Sequence, residues 1–374
     1  MKALTALCPG PPDWALDWTS LEARFDWVRA LASCPQDPVW HAEGDVGTHT
    51  RMVLEALVSS PSWRARDARE RELLFAACAL HDVSKPETTR VEPDGRVTAR
   101  HHSERGAVRS RRMLWELGAA PEERELVAHL VLHHQRPFFL LERDGAERMA
   151  SRISWTCGAS RLAEVARADI LGRACRDAAR LLENIGLFEE LCHELGCLDA
   201  PRVFPSAAHR VAYFADASRA FDSPVAPDAT CEVVVLSGPP ASGKDHWIRT
   251  HGQGWPVVAP DAVRAELGVS PRDEQGLVIQ TCRERAREHL RARRSFVWNA
   301  TNLSRRVRGQ VLDLCHRYGA HTRVVAIEAS ADTVRARNKA RSAPVPAAAL
   351  ERMLGRWEAP DATEAHQLER VASD

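Results

Sequence analysis

The histidines of the first half of the chain fall in a pattern that could do chemistry. His49 opens an apolar-periodic stretch. His81-Asp82 closes another and is followed by Val83-Ser84-Lys85. His101-His102 precedes Ser103-Glu104, His133-His134 closes a third stretch, and Asp169 lies within Ala168-Asp169-Ile170-Leu171-Gly172-Arg173. Imidazole nitrogen and carboxylate oxygen together suit a hydrolytic divalent ion such as Mn²⁺, Fe²⁺, Co²⁺ or Ni²⁺. Such an ion acidifies water and polarises a phosphoryl oxygen. An adjacent His-Asp pair lets one helix end offer a nitrogen and an oxygen to the same ion. A single histidine is more often a solvated or core residue, and that reading is taken for His41, His193, His209 and His366.

A second pattern is Gly238-Pro239-Pro240-Ala241-Ser242-Gly243-Lys244-Asp245, which follows a short β-branched run and precedes a helix-like stretch. This is G-x-x-x-x-G-K in the strand-to-helix context it requires. Gly238, Ser242 and Gly243 let backbone N–H groups turn onto phosphate oxygens, and the helix N-terminus adds a positive dipole. Lys244 reaches the β- and γ-phosphates of ATP or another nucleoside triphosphate. The next place ordinarily gives a Ser or Thr hydroxyl to Mg²⁺. Here it is Asp245, which also offers oxygen. Downstream come Asp261-x-x-Arg264, Thr301-Asn302-Leu303 and Arg337-Asn338-Lys339-Ala340-Arg341. Asp261 alone reads equally as a helix N-cap. The three-residue spacing to Arg264 puts both side chains on one helical face and favours a site.

The elements that carry these residues differ between the two halves. Apolar spacing of three and four predicts helices around Met52–Val58, Leu73–Leu80, Leu126–Leu132 and Leu181–Leu191, with no strand-like run among them. After Asp222 the turn-rich Ser223-Pro224-Val225-Ala226-Pro227-Asp228 reads as part of a linker over 223–230. Beyond it, runs at Glu232–Leu236, Pro256–Ala259, Ser295–Trp298 and Arg323–Ile327 alternate with helical stretches. That alternation predicts a parallel sheet covered on both faces. The expected fold is therefore two domains: an all-α domain over 1–222 and an α/β domain with a parallel sheet over 231–374.

Composition sets the outer bounds. The chain has 374 residues, with Lys plus Arg 51 and Asp plus Glu 51, so the formal charge is zero and a wholly basic nucleic-acid binder is excluded. Arg264, Arg272, Arg283, Arg305, Arg306 and Arg308 could still form a local basic groove, although most such residues sit on solvated helix faces. No apolar run is long enough for a membrane span, and the start of the chain has no signal-peptide core. The ten cysteines are scattered with no C-x-x-C pair, as expected of reduced thiols in a cytoplasmic enzyme.

The second series resembles the 5′-hydroxyl polynucleotide kinase domain of phage-type RNA repair enzymes, over about residues 231–374. The resemblance implies Asp261 as general base on the attacking 5′-hydroxyl and Arg264 as contact to the acceptor phosphate. It implies Arg337 and Arg341 as lid contacts to the donor phosphates, with ATP and Mg²⁺ as cofactors. An acidic residue often precedes the Thr-Asn-Leu in that family; here it is Ala300, with Asn299 beside it. The histidine series resembles the HD phosphohydrolase superfamily, most closely the HD domain attached to bacterial tRNA nucleotidyltransferases. It implies His49, His81, Asp82 and Asp169 as metal ligands, and Lys85 as a contact to substrate phosphate. A second ion would use His102 and one of His133 and His134, with His134 preferred. Nothing resembles the nucleotidyltransferase domain.

Together the halves resemble bacterial HD-plus-kinase RNA end-healing enzymes. These remove a 3′ or 2′,3′-cyclic phosphate and phosphorylate a 5′-hydroxyl, on RNA or DNA ends that a separate ligase then joins. The alternatives left open by the sequence are an HD nucleotidase fused to a small-molecule or nucleoside kinase, and a nucleotide-switch sensor.

Overall fold

The structure, a computed structural model, describes residues 1–225, 231–270 and 273–374. It divides into two compact units, Met1–Val203 and Phe204–Asp374. Residues 226–230 of the expected linker and Arg272 of the expected basic groove lie outside the described residues. The division falls ahead of the expected boundary at 222. The helix Ala207–Ala215 groups with the second unit, where Arg210 donates to the carbonyls of Ala365 (3.1 Å) and His366 (2.8 Å).

The first unit is a helical bundle. Its central helix, Ala68–Leu80, is buried without interruption from Leu73 to Leu80. A helix apolar all round its last turns belongs inside a bundle. Its C-terminus therefore delivers His81 and Asp82 into the interior, where both are at most 2% exposed. Helices Val46–Ser59, Pro121–His133 and Ala159–Leu171 surround it. Asp45 caps the first of these by accepting from the Thr48 amide at 2.9 Å. Gly172, just past Ala159–Leu171, lies so close to Val53 that a Cβ there would stand 2.4 Å from the Val53 nitrogen. Only glycine admits that approach. A short antiparallel hairpin, β1 (Thr89–Val91) with β2 (Val97–Ala99), interrupts the helices. Strands of three residues are too short to register as a periodic pattern, so the sequence does not foresee them.

The second unit is built on a five-stranded, all-parallel sheet of β3 (Glu232–Ser237), β4 (Val257–Val258), β5 (Phe296–Asn299), β6 (His321–Glu328) and β7 (Gln367–Ala372), in the order β4-β5-β3-β6-β7. Val233 and Val235 enter the apolar cluster on one face, and Val234 and Leu236 the cluster on the other. A central parallel strand covered on both faces reads as a continuous apolar run for this reason. β7 is the strand the sequence reading lacked. It is a half-buried edge strand, whose Gln-Leu-Glu-Arg-Val-Ala carries no apolar run.

Two arginines of the expected groove are committed elsewhere. Arg308 is wholly buried and forms a bidentate pair with Glu364, with both contacts at 2.8 Å. Arg305 pairs with Asp361 and donates to Thr363 Oγ1 at 2.9 Å. They tie the 358–364 segment to the start of helix Arg305–Arg317. Glu364→Ala leaves a buried guanidinium unpaired, so a loss of about 3–5 kcal/mol is expected. A lower urea midpoint for unfolding of the second unit is the check, and an unchanged midpoint contradicts it.

Candidate functional site

In the helical unit, His49, His81, Asp82, His102, His134 and Asp169 converge. His49 Nε2 stands 3.2 Å from both His81 Nε2 and Asp169 Oδ1. Asp82 Oδ2 is 3.3 Å from His81 Nε2 and 3.8 Å from His49 Nε2. The other oxygen of the same carboxylate, Oδ1, faces His102 Nε2 at 3.4 Å and His134 Nε2 at 3.9 Å. These six residues form two donor groups, His49–His81–Asp169 and Asp82–His102–His134, with Asp82 turned toward both, and a further group, His41–Glu43–His49, adjoins the first.

The rings are aimed by their own backbone. Nδ1 of His81 bonds the Cys78 carbonyl at 2.7 Å, that of His102 the Ala99 carbonyl at 2.8 Å and that of His134 the Val131 carbonyl at 2.7 Å. A carbonyl can only accept, so each Nδ1 carries the proton and each Nε2 lone pair points into the cluster. Burial, with His81 and His102 adjacent, lowers the His134 imidazole to about 3 and keeps the ring neutral. Burial opposes the charge on Asp82, but Lys85 (Nζ to Oδ2, 2.7 Å) and His81 outweigh it and hold the carboxyl well below the usual range. Burial opposes Asp169 likewise, and Arg173 and His49 outweigh it. Asp82 Oδ1, Asp169 Oδ2 and His134 Nε2 are buried with no hydrogen-bond partner among the described residues. A divalent cation satisfies such orphaned donors, so the residues fit one.

The structure separates the two adjacent histidines that the sequence leaves in competition. His134 joins the cluster, whereas His133 stacks on His129 with centroids 6.1 Å apart and belongs to neither donor group. Lys85 Nζ also donates to Gln36 Oε1 at 2.6 Å. One expectation is corrected and one participant is new. His41 is no ordinary histidine, since its ring lies 4.9 Å from that of His49. Glu43 Oε1 lies 2.8 Å from His41 Nδ1 and 3.0 Å from His49 Nδ1. Their segment has no periodicity, and the only available signal was the run of polar residues before a capped helix.

In the second unit, the loop between β3 and helix Lys244–His251 forms the expected phosphate cradle. Gly243 has φ +99°, which favours glycine, and a Cβ at Gly238 would fall 2.1 Å from the Ile327 carbonyl oxygen. Lys244 Nζ donates to the carbonyls of Gly238 (2.9 Å) and Pro239 (2.7 Å). Burial lowers the Lys244 ammonium to about 8; Asp245 opposes the shift and Arg341 adds to it. Ser242 Oγ is buried without a partner among the described residues. Asp245 Oδ1 accepts from Asn299 Nδ2 at 2.9 Å, which ties the end of β5 to the loop helix. Asp261 sits in the first turn of Pro260–Leu267, exposed and paired with Arg264, which also donates to Gln275 Oε1 at 3.1 Å.

Arg337 is tied to the phosphate loop through Ser373. It donates to Ser373 Oγ (3.0 Å) and to the Ser373 carbonyl (2.6 Å), while Ser373 Oγ donates to the Ser242 carbonyl at 2.7 Å. The Thr301-Asn302 step braces the loop. Gly238 N donates to the Thr301 carbonyl at 2.9 Å, and Asn302 Nδ2 to the Leu236 carbonyl at 2.6 Å. Of the remaining groove candidates, Arg283 donates to Gln310 Oε1 at 2.8 Å and Arg306 is exposed.

The chain is a helical domain followed by an α/β domain with a P-loop at the end of its central parallel strand. Residues 46–172 match the HD domain family and residues 233–360 an AAA domain family. Among solved structures it is similar to a candidate kinase from Chloroflexus aurantiacus J-10-fl, at 21% identity and TM-score 0.33, over 38% of this chain and 85% of that one. It is also similar to Chaetomium thermophilum Kti12 in complex with ADP-AlF3, at 16% identity and TM-score 0.30, over 38% of this chain and 89% of that one. No curated protein matches the chain. No helix among the described residues is long and apolar enough to cross a membrane.

Proposed function

We propose that the chain heals broken nucleic-acid ends, RNA foremost. The helical unit removes a 3′ or 2′,3′-cyclic phosphate, and the P-loop unit phosphorylates a 5′-hydroxyl from ATP. A separate ligase then joins the ends. The observation that carries this reading is one chain holding two phosphate-directed sites of opposite sense: a buried His/Asp cluster built for cations, and a P-loop after β3 with an Asp-x-x-Arg after β4, two strands away in the same sheet. Ten free thiols favour a reducing cytoplasm as its setting.

In the helical unit His49, His81, Asp82 and Asp169 would hold one divalent ion, and Asp82, His102 and His134 a second. A bound ion supplies Lewis acidity toward a phosphoryl oxygen and makes water acidic enough to attack at neutral pH. Lys85, anchored between Asp82 and Gln36, presents its ammonium to the substrate phosphate. In the second unit Asp261 accepts the proton of the attacking 5′-hydroxyl, and Arg264 beside it holds the acceptor phosphate. Lys244 and Arg341 offset charge on the transferred group, which is the main demand of phosphoryl transfer.

The test is label transfer from ATP to a 5′-hydroxyl RNA oligomer bearing a 2′,3′-cyclic phosphate, beside a mononucleoside 3′-phosphate. Labelling and loss of the cyclic phosphate are expected on the oligomer. Labelling confined to the mononucleotide overturns the polynucleotide reading.

Asp245 is expected to serve the Mg²⁺ side of the nucleotide site. Asp245→Ala should raise the Mg²⁺ concentration for half-maximal kinase activity about tenfold, the scale on which a tuned metal contact is lost. An unchanged Mg²⁺ dependence would leave Asp245 as a structural partner of Asn299 and nothing more.

A further inference from the structure

The two donor groups of the helical unit are not equivalent. In the second, the rings of His102 and His134 are backed by neutral peptide carbonyls. In the first, His81 is backed the same way and so is His49, which differs in having a carboxylate beside that carbonyl. Its Nδ1 faces both the Gly172 carbonyl (3.1 Å) and the Glu43 carboxylate (3.0 Å). Glu43 is 2% exposed at its side chain, and its other oxygen accepts from the Ala174 amide at 3.0 Å, so the carboxylate is clamped behind the ring.

A carboxylate behind a ligand imidazole raises the basicity of the lone pair on the far nitrogen and fixes the ring. The first group also has a carboxylate of its own, Asp169, besides Asp82 Oδ2, whereas the second has only Asp82 Oδ1. Arg173 on Asp169 and Lys85 on Asp82 offset part of that excess, and the Glu43 carboxylate adjoins the first group alone. We propose that Glu43 is a positioning residue for His49, and that it makes the His49–His81–Asp169 group the first to fill with a divalent cation and the Asp82–His102–His134 group the second. This rests on the metal-dependent reading of the helical unit.

The test is a titration of the metal-stripped full chain with Mn²⁺, reading free ion by electron paramagnetic resonance, with no substrate present. The wild-type chain should bind in two separated steps. Glu43→Gln should weaken the first step about tenfold or more and leave the second in place. A damaged fold would instead move both steps together, and that result overturns the proposal. So does a first step unchanged in Glu43→Gln, or a wild-type chain whose ions bind with equal affinity. Should Glu43→Gln not fold, Glu43→Asp keeps the charge at shorter reach and should give an intermediate shift of the first step alone. A wild-type chain that binds no Mn²⁺ removes the hydrolase reading as well. Two wild-type steps with both unmoved by the Glu43 variants remove only the role given to Glu43.

Discussion

Asp82→Ala is expected to cut hydrolysis of a 2′,3′-cyclic or terminal phosphate at least about a hundredfold, since several kcal/mol of charge stabilisation depends on the ions it helps hold. Among the six clustered residues it is the one whose two oxygens face different donor groups, so its loss removes a donor from both. It also leaves the Lys85 ammonium opposite the imidazoles with its carboxylate partner gone, which further disfavours a cation there. His81→Ala should fail in the same assay. The 5′-kinase should stay within about twofold in either variant, as expected for sites carried by separate compact units. Chelation should stop the hydrolase of the native chain, and metal analysis should find a transition ion. Full-rate hydrolysis by metal-free protein would sink the assignment.

Lys244→Ala is expected to do the reverse, lowering kinase activity at least about a hundredfold while the hydrolase persists, the usual cost of removing one preorganised donor at developing charge. The side chain is half-buried, and its ammonium is held on the carbonyls of Gly238 and Pro239. Arg341, the other residue given a charge-offsetting role here, is exposed at the end of helix Ala331–Ala340. Measuring both activities on one preparation separates the sites. Loss of both in a folded variant would contradict a two-site enzyme.

The residues legible in the sequence are those whose place follows from a helix end or a strand end. His81-Asp82 had to follow the apolar run Leu73–Leu80, and the glycine-rich loop had to follow β3. His133 and His134 were legible as a pair and not individually, because about 100° of helical rotation separates neighbours but does not say which one faces inward. Glu43 and His41 were illegible. They lie in an irregular segment whose path depends on a bond from the Ala42 amide to the Ala174 carbonyl, a contact between distant parts of the chain. Arg305 and Arg308 looked like groove residues since their carboxylate partners, Asp361 and Glu364, come from a later loop that no local pattern connects to them. Thr301-Asn302 carries a motif, yet its bracing of the phosphate loop emerges only once β3 and β5 are adjacent.

His81, His102 and His134 share one construction. Each ring bonds the carbonyl three residues before it, at the boundary of a helix. The aim of the ring is thus settled within four residues, ahead of any partner across the bundle. For a builder of artificial helical proteins this is a transferable module. A histidine placed three residues after a carbonyl at a helix boundary arrives with its tautomer chosen and its free nitrogen directed, so a multi-histidine centre can be specified by where helices stop and start. The neighbouring core then has only to leave room, a much looser demand than locking each ring from the side.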